Sequence, residues 1–426
     1  MKRRLLPILM TLVLVCALPI WAAFVTSGDV TNPLVCTAGA TEPTLQERID
    51  KANAGDTIKL SSNTEIAATL QITKNLTLDL NGHVLKMTGD GSVLRVSDSA
   101  TLTITDSRPQ NPHTGSYAGL PAGGVITGGK GTDAGGSVHS VGGAVFLENG
   151  TTLKLDGGTL TGNSSRGSVF INGATLVMSG GTITGENVGV HNNVGTFTMT
   201  GGRITGCSDR GVYVYNGNMT MSGTAYIGGN PGAREDIYVR EPVHKHTDLS
   251  VTGGTVEGNV RIEFGANLGM TQESLKPVAN SVVKEGGVFE GHIQVRIDNT
   301  EGTSVDYNTV NFIDEVAKTR TLQLVLADKK ATRPTDPATV NGQAFMYWAA
   351  KGTSEAWNFD TEINEPITLY AVRTPASSGY YYYPTTDTKA DDAKGSPKTA
   401  DPGVALYAAL SLLSLTGLTC TGRKKF

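Results

Sequence analysis

The chain has 426 residues, 53 of them glycine, and a formal net charge of −4. Glycine shows no every-third-residue period, which excludes collagen, and the four cysteines lack the paired spacing of a zinc site, so neither a metal nor a cofactor is expected. An acidic balance disfavours nucleic acid and other polyanions, which need basic patches.

In chain order, Lys2, Arg3 and Arg4 precede an apolar run from Leu5 to Phe24, the layout of a secretory signal peptide over residues 1–27. Cleavage after Ala23 would put the bulky Trp21 at the −3 position, and Val25-Thr26-Ser27 offers the alternative. Thr44-Leu45-Gln46-Glu47 is a capping box that opens a short helix. Leu45, Ile49 and Ala52 fall on one face of that helix, and Asn53-Ala54-Gly55 ends it. Asp56-Thr57-Ile58-Lys59-Leu60 and Leu76-Thr77-Leu78-Asp79-Leu80 then alternate as strands.

A spacing rule follows. Leu153, Leu155, Gly157-Gly158-Thr159 and Leu160 are matched by Leu176, Met178, Gly180-Gly181-Thr182 and Ile183. The offsets return at Phe197, Met199, Gly201-Gly202-Arg203 and Ile204, and again at Leu249, Val251, Gly253-Gly254-Thr255 and Val256. A partial copy holds Met219, Met221 and Tyr226 with Gly223 at the turn. The period over the best three copies is 21–23 residues, the mark of a stacked solenoid. Apolar residues two apart share one strand face, and the glycine pair permits a sharp turn. One copy is too small to bury its own apolar face, so copies must stack. The Leu-x-x-Leu-x-Leu-x-x-Asn signature of a leucine-rich repeat is absent.

These residues resemble the right-handed parallel β-helix of the pectate-lyase-like class, over residues 43–300. The opening helix, followed by Gly-Asp-Thr-Ile-x-Leu and Leu-Asp-Leu-Asn-Gly-His, resembles the N-terminal cap of bacterial surface β-helices. The resemblance implies an all-β solenoid with a short capping helix. At ~22 residues per rung it implies roughly 11 rungs.

Within the coil, His292, Gln294, Arg296 and Asp298 alternate with Ile293, Val295 and Ile297, so period two places the four polar groups on one outward strand face. They are the candidate ligand-binding residues, and the alternative is an ordinary solvated face. His244 and His246 share a strand face but lack a third metal ligand. Ser208-Asp209-Arg210-Gly211 and His191-Asn192-Asn193 are the nearest approach to catalytic clusters. Glycoside hydrolysis needs convergent carboxylates, and lyase chemistry needs a base with acidic calcium ligands. The β-helix pectinases carry Asn-Thr-Asp, paired Asp, His-Gly and Arg-Ile-Lys clusters, and the coil has none of them, so no catalytic residue is assigned. Thr159, Thr161, Asn163, Ser164, Thr182, Thr184 and Thr198 suggest neutral hydrogen-bonding ladders on the exterior.

After Asp298 the pattern changes. Thr321-Leu322-Gln323-Leu324-Val325-Leu326, Phe345, Trp348, Trp357-Asn358-Phe359-Asp360 and Ile367-Thr368-Leu369-Tyr370-Ala371 resemble the Listeria–Bacteroides repeat, with Tyr347 where the family has glycine. The resemblance implies a small β-grasp-like module over residues 309–373, serving as a spacer or interaction domain. Residues 374–395, around Tyr380-Tyr381-Tyr382-Tyr383, have the Pro, Ser, Thr and charged composition of a tether.

Ser396-Pro397-Lys398-Thr399-Ala400, an apolar stretch from Val404 to Leu418 and Arg423-Lys424-Lys425 resemble the sorting signal of Gram-positive surface proteins over residues 396–426. Ser and Ala stand where the usual Leu-Pro-x-Thr-Gly pentapeptide has Leu and Gly. The resemblance implies that a sortase cuts after Thr399 and joins the chain to peptidoglycan, and the alternative is a plain C-terminal membrane anchor. Membrane contact is expected only through the signal and sorting segments. Without six basic residues of these two ends and Asp401, the exposed body keeps 29 basic and 38 acidic residues, a charge of −9. The leading expectation is a surface adhesin or ligand-binding module for a glycan or host protein. A wall-attached polysaccharide lyase or hydrolase and a passive spacer are the alternatives.

Overall fold

A computed structural model describes residues 42–133, 140–185, 187–230, 234–241, 249–265, 287–297 and 304–375. The signal segment, the tether beyond residue 375 and the sorting signal lie outside these, as do Asp298, His244 and His246. None of the described helices is long and apolar enough to cross a membrane.

The repeat folds as a parallel β-helix of three sheets, each rung giving one short strand to each sheet. Thr152–Leu155, Thr159–Leu160 and Val169–Asn172 form one such rung. Like stacks on like. Leu153 pairs with Leu176, and Leu155 with Met178. Phe197 and Met199 lie on the next rung, then Met219 and Met221, then Leu249 and Val251. All of these side chains are buried in one continuous core. A fully buried aliphatic side chain contributes about 1.5–3 kcal/mol, and a rung gains it only when a neighbour covers it.

The Gly-Gly pair makes the corner between the first and second sheets. A Cβ on Gly180 would lie 2.3 Å from the Asp156 carbonyl oxygen of the preceding rung, and one on Gly201 only 2.2 Å from that of Ser179. Gly181 has φ +69°, a region that side chains resist. Gly180→Ala is therefore expected to cost about 1–3 kcal/mol through forced backbone separation. A lowered urea midpoint with native-like circular dichroism would show it, whereas an unchanged midpoint would mean that the corner relaxes freely.

The spacing predicts roughly 11 rungs, but the second sheet has nine strands and the third has nine parallel strands among the described residues. Insertions account for the difference. Thr101 pairs with Thr152, so that more than two repeat lengths of chain make a single turn of the coil. Met219 pairs with Leu249 across a shorter excess. A uniform period overcounts rungs whenever a loop leaves the coil and returns.

Both ends of the coil are closed. The capping box forms as expected: the Thr44 hydroxyl accepts from the Glu47 N–H at 3.2 Å, and the Glu47 carboxylate accepts from the Thr44 N–H at 2.8 Å. Leu45 and Ile49 of the helix Leu45–Lys51 enter the core. Gln46 then covers the open edge of the third sheet. Its side-chain oxygen accepts from the Gln71 N–H at 2.8 Å, and its amide donates to the Gln71 carbonyl at 3.2 Å.

The far end repeats this device with other residues. The strand Ser304–Asp314 runs antiparallel to Ile293–Ile297 and continues the third sheet. The Asn311 side chain accepts from the Phe289 N–H at 3.1 Å and donates to the Phe289 carbonyl at 2.6 Å. The Thr309 hydroxyl donates towards the Phe289 and Gly291 carbonyls, at 2.9 and 3.0 Å. At each end a side-chain amide stands in for the missing next strand, which removes the open-edge hazard of a solenoid.

The C-terminal module grows from this cap. Its strands lie in the order Thr319–Leu326, Ser304–Asp314, Ile367–Arg373, Phe345–Ala350, with the central pair parallel. No helix lies among residues 304–375. The sequence suggests an independent module from residue 309, yet the hairpin belongs to both cores. Val305 and Tyr307, with Leu322, Leu324 and Leu326, pack on the coil, while Val310, Phe312 and Val325 pack with Trp348 and Leu369. Alternate residues of Thr319–Leu326 point to opposite faces, so each face serves a different core. Asp314 and Arg373 form a bidentate pair across the module, with side chains only 1 % and 2 % exposed.

Candidate functional site

The first two sheets present outward threonines among scattered charges, such as the Lys59–Asp79 and Lys86–Glu65 pairs. Thr184 bonds Thr161 at 2.7 Å and Thr220 bonds Thr198 at 3.2 Å, each across one rung. These are two rungs of the ladders that the sequence suggests, but Asn163 of the same expectation is buried, where it accepts from the Gly129 N–H at 3.0 Å and donates to the Ile126 carbonyl at 3.2 Å.

The third sheet differs. Its outward side chains fall into columns, because parallel register repeats each position one strand spacing, about 4.8 Å, further along. One column runs Phe146, Phe170, His191, Tyr213, Tyr238, Arg261, Gln294. Two residues along, a second runs Asn193, Tyr215, Arg240, Glu263, Arg296. Gln71 and Arg95 precede Phe146 in the first column, so the face is polar at its start, aromatic from Phe146 to Tyr238 and charged beyond. Phe146 and Phe170 cluster with Val141, and the Arg95 guanidinium lies 5.6 Å from the Phe146 ring centre. Ring centroids then follow at 5.0 Å from Phe170 to His191, 4.8 Å to Tyr213, and 5.1 Å to a stacked Tyr238.

His191 belongs to this stack. Burial, helped by Arg166 and Arg210, lowers its pKa to about 4, so the ring is neutral at pH 7, and its Nδ1 has no hydrogen-bond partner. Asn192 points inward and braces a corner, donating to the Gly195 and Asn218 carbonyls. Asn193 bonds Asn172 at 3.0 Å. His191-Asn192-Asn193 is therefore divided between a stack, a corner and a ladder rather than gathered at one centre. Asp209 and Arg210 pair with each other, and Arg210 also reaches Glu235 at 3.2 Å.

At the charged end the groups interlock. Glu263 is nearly buried and accepts from the Tyr238 hydroxyl at 2.8 Å. Arg261, Arg296 and Arg240 approach it at 2.6, 3.1 and 3.5 Å. Arg261 also reaches Glu235 at 3.4 Å. The guanidiniums of Arg210 and Arg261 lie 4.7 and 5.3 Å from the Tyr238 ring centre, within cation–π range. Burial, reinforced by Glu263, holds the Tyr238 hydroxyl above its ordinary pKa, so it stays a donor.

A cleft of about 290 Å³ opens beside this network, lined among others by Arg234, Glu235, Arg261, His292, Gln294 and Asp306. A second, of about 460 Å³, adjoins it round the corner through the shared Arg234 and Asn259, and is bordered by Asp236 and Glu257. Asp236 is raised by burial but both its oxygens are occupied, by the Asn230 amide at 2.7 Å and the Gly258 N–H at 2.6 Å. Glu257 accepts from the Tyr226 hydroxyl and from the Gly229 N–H.

The candidate ladder divides accordingly. Gln294 and Arg296 lie on the outward face, Gln294 donating to Asp306 at 2.7 Å. His292 sits at the corner before the strand, its N–H bonded to Asn259 at 2.9 Å, and lines the same cleft as Gln294. The aromatic column and the Arg210–Glu235–Arg261–Glu263 network are not legible as a motif. Successive members from Phe146 to Tyr238 keep no fixed separation along the chain, because the loops before the third sheet vary in length. Alternation within Arg210–Tyr215 and Glu235–Glu241 is the one local signal. Among the described residues no group of three or more His, Cys, Asp or Glu is placed to hold a metal ion.

Comparison of the chain with protein-family models, with curated proteins and with solved structures finds no match in any of the three.

Proposed function

We propose that this is a surface protein, exported by its signal segment and joined by a sortase to Gram-positive peptidoglycan through Ser396, Pro397, Lys398, Thr399 and Ala400, and that it acts as an adhesin. Its ligand on this reading is a glycan, bound at the charged end of the third sheet, with a host protein as the other candidate. One observation carries the binding site: the polar side chains of Arg234, Arg261, Gln294, Asp306 and His292 converge on a single cleft at the charged end of the sheet. Polar side chains gathered in a concavity suit sugar hydroxyls.

The carboxyls of Asp236 and Glu257 beside the second cleft favour a rival reading, polysaccharide cleavage. Both are held in structural hydrogen bonds, which supports binding over turnover. The full chain is expected to release neither reducing ends nor unsaturated products from pectin, alginate, mucin or glycosaminoglycans, and clear turnover would replace the adhesin reading by the enzymatic one. On a glycan array it should bind a restricted set of sugars, with at least about a tenfold loss for Arg296→Ala or Gln294→Ala. An empty array would leave a passive spacer.

A further inference from the structure

We infer that the ligand at this cleft carries a negative charge, a carboxylate or a sulfate, received by Arg234, Arg261 and His292. The inference rests on the glycan-binding reading and narrows it.

The reason is hydrogen-bond valence. Each guanidinium brings five N–H donors and no acceptor. Glu263 serves Arg240, Arg261 and Arg296, besides the Tyr238 hydroxyl. Glu235 serves Arg210 and Arg261. The one other acid of the cleft, Asp306, accepts from Gln294. Among the described residues one Asp306 oxygen remains without a protein donor, but the unbonded N–H groups of the arginines outnumber it. Arg261 Nε is buried with no partner. The Arg234 side chain is 73 % exposed, and its one ion pair among the described residues is a 3.7 Å contact with Asp209, which Arg210 already holds at 2.5 Å. Asn259 fixes the His292 backbone and leaves the exposed ring available.

A surplus of donors beside a half-buried arginine is matched by an anionic acceptor, because charge-assisted hydrogen bonds are about twice as strong as neutral ones. The acidic remainder of the body sets the other limit. It repels an extended polyanion, so the fitting ligand is a short segment with one or two charges. Composition hides this local surplus of donors, which arises only when Arg234, Arg261 and His292 meet in space.

The test is titration calorimetry of the full chain with a uronic-acid trisaccharide, its carboxyl-reduced neutral form, a sulfated disaccharide and its desulfated form. One charged sugar should bind at least about tenfold more tightly than its neutral counterpart, with affinity falling as ionic strength rises. The sugar that does so tells carboxylate from sulfate. Arg234→Ala and His292→Ala change exposed side chains outside the buried network, and each should abolish the preference. Equal affinity for charged and neutral forms would overturn the inference and leave glycan binding standing. A preference that survives both substitutions, or equal binding of duplex DNA, would also overturn it. Failure of all four sugars overturns it too, and an empty glycan array beside that failure removes the reading beneath it.

Discussion

Asp314→Ala is expected to destabilise the protein by about 3–5 kcal/mol, because it leaves the Arg373 guanidinium buried and uncompensated. The pair joins the ends of two neighbouring strands, and Arg373 also donates to the Gln343 carbonyl at 2.8 Å. Two of the chain's three tryptophans, Trp348 and Trp357, lie in the module, so tryptophan fluorescence in a urea titration reports on this region directly. Asp314→Leu combined with Arg373→Met removes both charges and should recover most of the loss. If the single and double variants melt alike, the pair is not what holds the module.

The pair also predicts a pH dependence. Burial alone would raise the Asp314 carboxyl, but Arg373 and the N–H groups of Ala317 and Val316 outweigh it and hold the pKa below the ordinary 3.8. A carboxyl lowered on folding contributes stability that is fully present above its ordinary pKa and disappears as pH falls through the lower folded value. The parent should therefore lose stability on acidification below that ordinary value more steeply than Asp314→Ala does. Parallel acid profiles would contradict this.

A chain ended after Ile297 should fail to give a soluble coil, whereas one ended at residue 375 should remain monomeric. The difference is the hairpin. Val305, Tyr307, Leu322, Leu324 and Leu326 cover the last rung, and at about 1.5–3 kcal/mol for a fully buried apolar side chain their loss is on the order of 5–10 kcal/mol. That rivals the whole stability of an ordinary domain, about 5–15 kcal/mol. The cut also frees the backbone of Phe289 from Asn311 and opens a strand edge to intermolecular pairing. Light scattering and dye binding to exposed apolar surface would detect the aggregate. A well-behaved monomer ending at Ile297 would show that the module is a separate domain after all. The same logic makes fluorescence and far-ultraviolet dichroism report coincident transitions in the longer chain.

The coil was legible because its determinants are local and repeated. Leu153 and Leu155, the glycine pair and Leu160 recur at nearly fixed distances, and a strand's inward set follows from period two alone. Thr44 and Glu47 close their capping box within a single helical turn, so the opening helix could be read from the same stretch that makes it. The module's tryptophans marked a second core, but not that the strand beginning at Ser304 would turn back onto Ile293–Ile297.

The candidate site was only half legible. Gln294 and Arg296 declared themselves by alternation, but their partners Asp306 and Glu263 belong to other strands, reached across loops whose lengths follow no period. Tyr213, Tyr238 and Arg261 look like scattered residues until the register lines them up. Sequence by itself determined the strands, their inward faces, the glycine corners and the opening cap, since neighbours in the chain supply the sterics and the apolar pattern. Tertiary structure alone decided the number of rungs, the sharing of one hairpin between two cores and the gathering of Arg210, Arg240, Arg261 and Arg296 around Glu235 and Glu263, because stacking joins residues by rung and column rather than by distance along the chain.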